Sequence, residues 1–518
     1  MVKWISQQAS NLLFQVQILA GAKFHMKQQY SIPDIILQDI KILKDAGFEA
    51  FLVGGCVRDL LLPNPPAGGP KDWDITTDAK PEQIQNIFPK TFYENKFGTV
   101  AVVHETEDET LRIVEITPYR LEAKYSDKRH PDSVSFTGNI KDDLNRRDFT
   151  INALALDPVT QETIDLFHGK QDLKNKIIRT VGEPKDRFNE DALRILRAVR
   201  FATELDFNIS HETQEAIKKY AHLLEIIAKE RIKDEFVKII ISDNPSKGIK
   251  IMRDLGVLKY IIPELEEGIG VEQNKDHKYT VWDHNLKSLD HAVNKKWPFH
   301  VRLSALLHDV GKPASRQWGE KNKDWTFYGH DVIGGRMAAK ILSRLKFSKK
   351  TIELVAKLVR YHLFFSDTDK ITLSAVRRTV RNVGPENIWD LMKVRFSDRI
   401  GMGVPKESPY RLRKYESMIE EAMRAPLSVG MLKIDGSRIM EILKIKPGPK
   451  IGFILHALLE EALDEPSKNT EEWLKNRVKE LDALSEKELE DLGKKAKETK
   501  EEVERKEIEV IRKKWFVK

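Results

Sequence analysis

The sequence predicts an α+β protein, with strands gathered near the N-terminus and helices filling most of the remainder. Short runs rich in apolar and β-branched residues, bounded by turn residues as strands are, fall at 50–53, 72–77, 98–103 and 111–116. Capped segments with apolar residues at helical spacing dominate from Arg187 onward. The 518 residues exceed what one core supports and imply about three to four domains.

Composition narrows the class. With 41% hydrophobic and 32% charged residues, the chain reads as globular. The formal net charge of +7 is mild for the length; it permits a nucleic-acid partner without requiring one. The single cysteine, Cys56, excludes an internal disulfide framework and fits a reducing compartment, so a cytoplasmic location is expected. No apolar run reaches the roughly 18 residues of a membrane span. Neither a membrane nor an obligate protein partner is expected. The stretch 11–20 is weakly similar to the apolar part of a secretory signal, but its glutamines and poor cleavage site argue against one. Met26 precedes a well-signalled helix, so residues 1–30 read as an N-terminal extension.

That helix is expected from Ser31-Ile32-Pro33 to Gly47, with Ser31 as N-cap, Gly47 closing it, and a stripe of Ile32, Ile35, Ile36, Ile40 and Leu43. The strand 50–53 then feeds Gly54 and Gly55. Two glycines after a strand allow close backbone approach to a ligand such as a triphosphate, and Arg58 stands where it could pair with a phosphate. Asp72 and Asp74, two apart on the next strand, should share a face and repel unless a cation lies between them; paired hard oxygens suit Mg²⁺. The plainer alternative is a turn and a half-exposed strand with two solvated acids. A short helix is expected from Lys80-Pro81-Glu82, followed by a hairpin of 98–103 with 111–116. Glu115 in its second strand is either a solvent-facing edge residue or a third carboxylate of a two-metal nest. Three carboxylates with two Mg²⁺ fit phosphoryl transfer. The chain lacks a Gly-Lys-Ser/Thr P-loop, which disfavours a Walker-type ATPase.

Residues 119–136, among them Arg120, Glu122, Lys124, Asp127, Lys128, Arg129, His130 and Pro131, have no clear period and read as a mobile surface loop. Beyond it, Arg146-Arg147-Asp148 with Thr150 and Asn152 could hold a triphosphate and a ribose hydroxyl. The stretch 187–200 reads as one helix capped by Asn189, with Asp191 and Arg194 as i,i+3 neighbours and Arg197 and Arg200 further along. Such a pair is either an intrahelical ion pair or a base selector. An Asp accepting from an amino group beside an Arg donating to a ring nitrogen would admit cytosine and adenine and refuse guanine and uracil.

Together, Gly54-Gly55 with Val57-Arg58-Asp59, Asp72-x-Asp74, Glu115, Arg146-Arg147-Asp148-x-Thr150-x-Asn152-Ala153 and Glu190-Asp191-x-x-Arg194 resemble the motifs of class II tRNA nucleotidyltransferases, the CCA-adding enzymes, and of the related bacterial poly(A) polymerases. Glu230-Arg231-Ile232-x-x-Glu235 and Pro447-Gly448-Pro449-x-Ile451-Gly452 extend the resemblance over about residues 47–465. It implies a nucleotidyltransferase head with a five-stranded mixed sheet (31–180), a helical neck (181–270), a body (271–405), a tRNA-binding tail (406–468) and a charged C-terminal helix (469–518). The implied activity is addition or repair of the 3′-terminal CCA of tRNA from CTP and ATP without a nucleic-acid template. Asp72, Asp74 and Glu115 would hold Mg²⁺. Gly54, Gly55, Arg58, Arg146 and Arg147 would contact the triphosphate, and Asp148 and Asn152 would lie near the ribose. Asp191 and Arg194 would select the base, with Arg197 and Arg200 in the nucleotide-binding set. The loop at 122–136 disfavours a CC-only enzyme and leaves A-addition alone and poly(A) synthesis as alternatives.

The middle of the chain carries His284, the dyad His308-Asp309 in an apolar helix ending His-Asp-x-Gly-Lys, then His330, His362 and Asp398. This resembles the HD phosphohydrolases and implies a second metal site, filled by a divalent transition metal or Mg²⁺. Metal-dependent hydrolysis of phosphoesters at RNA ends is the implied second activity, and an HD phosphohydrolase with an RNA-binding head is the alternative from another class; a non-catalytic RNA-binding protein is a third reading. Residues 204–265 read as helical with breaks at Gly248 and Gly256. Arg377-Arg378, Arg411–Lys414 and Lys444–Lys450 are basic clusters that either contact tRNA phosphates or face solvent, and 469–518 reads as an exposed charged helix or a frayed tail.

Overall fold

The computed structural model describes residues 30–489, apart from 64, 67–68, 94–97, 123–133, 275–276, 322, 365–370, 425–431, 465–467 and 486. The N-terminal extension, the central part of the 119–136 loop and the chain beyond 489 lie outside the described residues. The chain divides into two compact units, 1–261 and 262–518.

In the first unit, α1 (Asp34–Asp45) buries Ile36, Ile40 and Leu43 as its pattern requires. It starts two residues later than expected: Pro33, in extended backbone, holds the N-cap position. Ile32 precedes a proline and is steered away from helical geometry, so Ser31 is not the cap. Next come β1 (Ala50–Val53), α2 (Gly55–Leu61), β2 (Asp74–Thr77), α3 (Pro81–Ile87), β3 (Thr91–Tyr93), β4 (Val100–Val103), β5 (Ile113–Pro118), β6 (Arg120–Glu122), β7 (Val134–Phe136), α4 (Ile140–Asn145), β8 (Leu154–Leu156), β9 (Thr163–Asp165) and α5 (Gly169–Asn175). The mixed sheet has seven strands, not five, in the order β3-β4-β5-β2-β1-β8-β9. Its outer strands β3 and β9 are three residues long, too short to announce themselves by alternation. Among the described strands of this sheet, only β2 and β5 run parallel to each other. The ends of the loop at 119–136 pair with each other as β6 and β7.

A short parallel pair, β10 (Ile177–Ile178) with β11 (Asn208–Ile209), flanks α6 (Pro184–Glu190) and α7 (Leu193–Glu204). The single helix expected at 187–200 is broken at Asp191, whose φ of −139° and ψ of 105° are extended. Its Oδ1 accepts from the Leu193 amide at 3.0 Å, a local bond that competes with the helix. Asn189 therefore sits inside α6 and caps nothing. The unit closes with α8 (His211–Tyr220), α9 (Lys229–Ile241) and α10 (Pro245–Asp254). Gly248 is not a break but lies buried in α10; a Cβ there would come within 2.6 Å of Thr203 Oγ1, so the glycine lets α10 close on α7. Gly256, at φ +67°, does end that helix.

The second unit is helical: α11 (Pro263–Glu266), α12 (Val281–Asn294), α13 (Phe299–Leu307), α14 (Lys312–Ser315), the hairpin β12 (Gln317–Gly319) with β13 (Asp324–Thr326), then α15 (His330–Arg344), α16 (Lys349–Tyr361), α17 (Leu373–Val383), α18 (Ile388–Gly401), α19 (Tyr410–Arg424), α20 (Gly436–Leu443), α21 (Pro449–Asp464) and α22 (Glu471–Asp482). Among the described residues, no helix is long and apolar enough to cross a membrane. α22 is not an exposed charged helix. Its Leu474, Val478 and Leu481 are fully buried with Ile439, Ile454 and Leu458, a one-sided stripe hidden among charges.

Gly311 joins α13 to α14 where a Cβ would strike the His330 carbonyl and lie 2.6 Å from the Gly334 nitrogen. Gly311→Ala should cost about 2 kcal/mol of stability in urea unfolding followed by circular dichroism. Gly452→Ala, where a Cβ meets nothing within 4 Å, should leave the midpoint unchanged or raise it; equal losses at both sites would refute the packing argument.

Candidate functional site

The first constellation forms where β1 runs into Gly54. That residue's φ of +80° favours glycine, and α2 begins at Gly55 immediately after it. A Cβ on Gly54 would lie 3.1 Å from Arg147 Nη1 and 3.5 Å from Asp74 Oδ2, so the three residues are neighbours. Asp74 opens β2 and stands in register with Glu115 of β5, which places both carboxylates on one face of the sheet. Asp72 is exposed and lies in a bend before β2, not on the strand, because the ladder with β5 starts only at Asp74. The two acids still interact. Burial raises the pKa of Asp74; Arg147 opposes and the charge of Asp72 adds, leaving it above the usual carboxylate value. A divalent cation at this face would relieve that strain, so these residues fit a hard metal.

Behind the turn, Cys56 is 1% exposed, with its thiol 3.3 Å from the Val53 carbonyl. Burial, with the nearby Asp74 charge, pushes that thiol up to about 12. On the site side, the buried Asp143 accepts from Arg146 Nε at 3.0 Å and from Arg147 Nη2 at 3.0 Å, setting both guanidiniums. Arg58 donates to Asn152 Oδ1 at 3.0 Å, Asn152 to Asp148 Oδ1 at 3.3 Å, and Arg197 Nε to Asp148 Oδ2 at 2.8 Å. Arg200 donates to Glu235 Oε2 at 2.7 Å and stacks 4.1 Å from the Phe201 ring centre.

Asp191 and Arg194 do not share one helix face; the break at Asp191 separates them. Arg231 grips both oxygens of Asp191, at 2.7 and 3.2 Å. Arg194 pairs with Glu190 and donates to the Arg146 carbonyl at 3.1 Å. Sequence reasoning gave no role to Asp143, Arg231 or Glu235. The i,i+3 and i,i+4 spacing of Asp143 to the two arginines was the available signal for the first, and the Glu230–Glu235 motif for the others.

The second constellation lies in the second unit. His308 ends α13, His362 ends α16 and His330 begins α15. Each donates from Nδ1 to the carbonyl three residues back, at Ala305, Val359 and Phe327, over 2.8, 2.7 and 2.6 Å. This turns each Nε2 inward. Asp309 Oδ2 lies 3.1 and 3.3 Å from the Nε2 atoms of His284 and His308, while its Oδ1 faces those of His330 and His362 at 3.4 and 3.6 Å. Asp398 Oδ1 lies 3.3 Å from His284 Nε2. All six expected residues are thus brought together, and His277, from a loop without periodic signal, joins His284 and Asp398. Burial alone would raise Asp309, but His308 and Lys312 outweigh it and hold the carboxyl well below its usual range. Burial opposes charge on His308, yet Asp309 and Asp398 lift its pKa to about 10. A carboxylate spanning two imidazole pairs, with the outer ring nitrogens of His308, His330 and His362 tied to carbonyls, can hold divalent metal.

Asp148 supplies a test of the first constellation. Burial would raise it, but Arg197 and Arg194 depress its pKa to about 2. A depressed acid stabilises above its unfolded pKa and loses that contribution as pH falls through the folded one. Asp148→Asn should therefore narrow the loss of stability between about pH 5 and pH 2 by about 2 kcal/mol. Urea titrations at a series of pH values read this; parallel curves for both proteins would contradict it.

The family model described as "Poly A polymerase head domain" matches residues 50–179, "Probable RNA and SrmB- binding site of polymerase A" matches 206–269, and "HD domain" matches 283–408. A CCA-adding enzyme of Pediococcus pentosaceus is 46% identical over 458 residues, covering 88% of this chain and 99% of that protein. The CCA-adding enzyme of Ligilactobacillus salivarius is 35% identical, covering 87% and 98%. The crystal structure of the Bacillus stearothermophilus CCA-adding enzyme in complex with CTP superposes with a TM-score of 0.58 at 27% identity, covering 86% of this chain and 96% of that one. With relatives of this identity matched over nearly their whole length, the chain belongs to the CCA-adding enzyme family.

Proposed function

We propose that this protein adds and repairs the 3′-terminal CCA of tRNA, using CTP and ATP without a nucleic-acid template. The observation that carries the reading is the in-register pair Asp74 and Glu115 beside Gly54 and Arg147. In this reading Asp72, Asp74 and Glu115 would hold Mg²⁺, which would supply positive charge for deprotonation of the tRNA 3′-hydroxyl and for the pyrophosphate leaving group. Gly54, Gly55, Arg58, Arg146 and Arg147 bind the triphosphate, with Arg197 and Arg200 behind them. Asp148 and Asn152 lie near the ribose. Asp191 and Arg194 read the base, and Arg231 fixes where the Asp191 carboxylate meets it. The working divisions are the head (31–180), neck (181–270), HD domain (271–405), tail (406–468) and C-terminal helix (469–518), in a protein of the cytoplasm.

Purified protein with Mg²⁺ should complete tRNA transcripts ending before CCA, after C and after CC, and then stop. A single A placed only on the CC-ended tRNA would make it an A-adding enzyme, and long A tails a poly(A) polymerase. Asp74→Asn should lower kcat at least about a hundredfold. Asp191→Ala should relax the refusal of UTP and GTP; unchanged nucleotide choice would defeat the base-reading role.

A second reading concerns the HD cluster: metal-dependent hydrolysis of phosphoesters at RNA ends. It is favoured by Asp309 lying between two pairs of inward imidazoles. His308→Ala should abolish metal-dependent cleavage of a 2′,3′-cyclic phosphate while leaving CCA addition intact. Cleavage that survives the substitution would remove the assignment.

A further inference from the structure

The outer strands of the mixed sheet have one covered face and one open face. On the edge strand β3, Thr91 and Tyr93 stand in register with Val102 and Val100 of β4, and these with Val114 and Ile116 of β5. Those four β4 and β5 side chains are at most 2% exposed, so their face is covered. Phe92 points the other way. It pairs with Ala101, Ala101 with Glu115, and Glu115 with Asp74. The four residues therefore form one row across four strands, on the face that carries the acids. Phe92 is 43% exposed, and Ile113, two residues before Glu115 on the same face, is 46% exposed. Ala101, between Phe92 and Glu115, is small and fully buried, which leaves a low floor between ring and carboxylate. Natural sheets blunt an edge strand with charge or proline; β3 presents a phenylalanine on the acid-bearing face instead.

The direction of the reaction gives each substrate a side of the acids. Gly54 and Arg147 adjoin Asp74 at the exit of β1, and in the proposed reaction they take the triphosphate. Attacking and leaving oxygens in phosphoryl transfer lie roughly in line. The RNA 3′-hydroxyl therefore approaches from the opposite side, from β5 toward β4 and β3. Two strand spacings, about 10 Å, separate the Glu115 and Phe92 backbones. One nucleotide covers that span from its 3′-hydroxyl to its base. The terminal base also changes with every addition: first whichever base precedes the CCA, then C, then C again. Hydrogen bonds to base edges would favour one of these bases, whereas an aromatic ring accepts each, because every base has a π-face.

We propose that Phe92 is the stacking platform for the 3′-terminal base of the tRNA being extended, with Ile113 lining the same surface and the ribose 3′-hydroxyl delivered to Glu115 and Asp74. The proposal rests on the CCA-adding reading and adds to it the residue that holds the growing end.

The test is photocrosslinking of the full-length protein to a tRNA transcript whose 3′-terminal residue is 5-iodocytidine at the first C position, with steady-state kinetics on the same variants. Trypsin cleavage after Lys90 and Lys96 isolates the peptide 91–96, and label should appear there, on Phe92. Phe92→Ala should lose the label and raise KM for tRNA about tenfold. It should leave KM for CTP and ATP and the urea midpoint unchanged. Phe92→Trp should restore KM for tRNA; Phe92→Leu, apolar but not planar, should not. Tyr93→Ala, on the same strand but the opposite face, should behave as the parent protein. Label only outside 91–96, or equal KM values for Phe92→Trp and Phe92→Leu, overturns the proposal. A sedimentation coefficient that falls with Phe92→Ala, without label on 91–96, gives the face to a second copy of this chain and also overturns it. CCA completion by the parent with an unaltered KM for tRNA in Phe92→Ala sinks base stacking while the CCA-adding reading stands. Label on 91–96 in a protein that adds no nucleotide sinks the CCA-adding reading and keeps Phe92 as a site for RNA ends.

Discussion

The parallel pairing of β2 with β5 is the constraint on which the first unit's site depends. In a sheet whose other neighbours are antiparallel, this one ladder sets Asp74 against Glu115. A slip by one residue would send Glu115 to the opposite face, since the side-chain period of a strand is two. Register is held by the burial of Val114 and Ile116 on that opposite face. The hydrophobic alternation of β5 thus places an acid it does not itself contact. Gly54, on the adjoining strand's exit, is demanded by its φ of +80°, and a Cβ there would also crowd Arg147 Nη1 at 3.1 Å.

The second unit solves a comparable problem with helix ends instead of a ladder. Three histidines each bond to a carbonyl three residues back in their own chain. The ring orientation is therefore set locally, by the ends of α13, α15 and α16, and packing has only to bring those ends together. Gly311 permits one of these approaches, where α13 turns into α14 against the start of α15. The result buries Asp309 at 1% exposure among groups that keep it charged.

Residue chemistry at short range was legible in the sequence, and pairing at long range was not. The glycine turn, β1, the β4–β5 hairpin and the six HD-type residues all carry local signals of spacing, turn chemistry or apolar runs. The failures share a cause. Asp72 looked like a strand residue, but strand ends are decided by the neighbouring chain. Asp191 looked helical, but its side chain bonds the backbone two residues on and breaks the helix. Gly248 looked like a breaker, but it serves close contact with Thr203, 45 residues earlier in the chain. The buried stripe of α22 was masked by surrounding charge. Arg231 reaches Asp191 across 40 residues, a pairing that the Glu230–Glu235 motif marks at one end without naming its partner.

Cys56 carries a consequence of a different kind. Only the thiolate reacts readily with alkylating reagents and oxidants, and this thiol is both enclosed and held protonated up to about 12. The sole cysteine of the chain is therefore silent while the glycine turn is closed and becomes reactive only when the turn opens. Its modification rate is a built-in clock for local opening beneath the triphosphate turn, read without introducing any label site, and oxidants that spare the closed state leave the turn chemically intact.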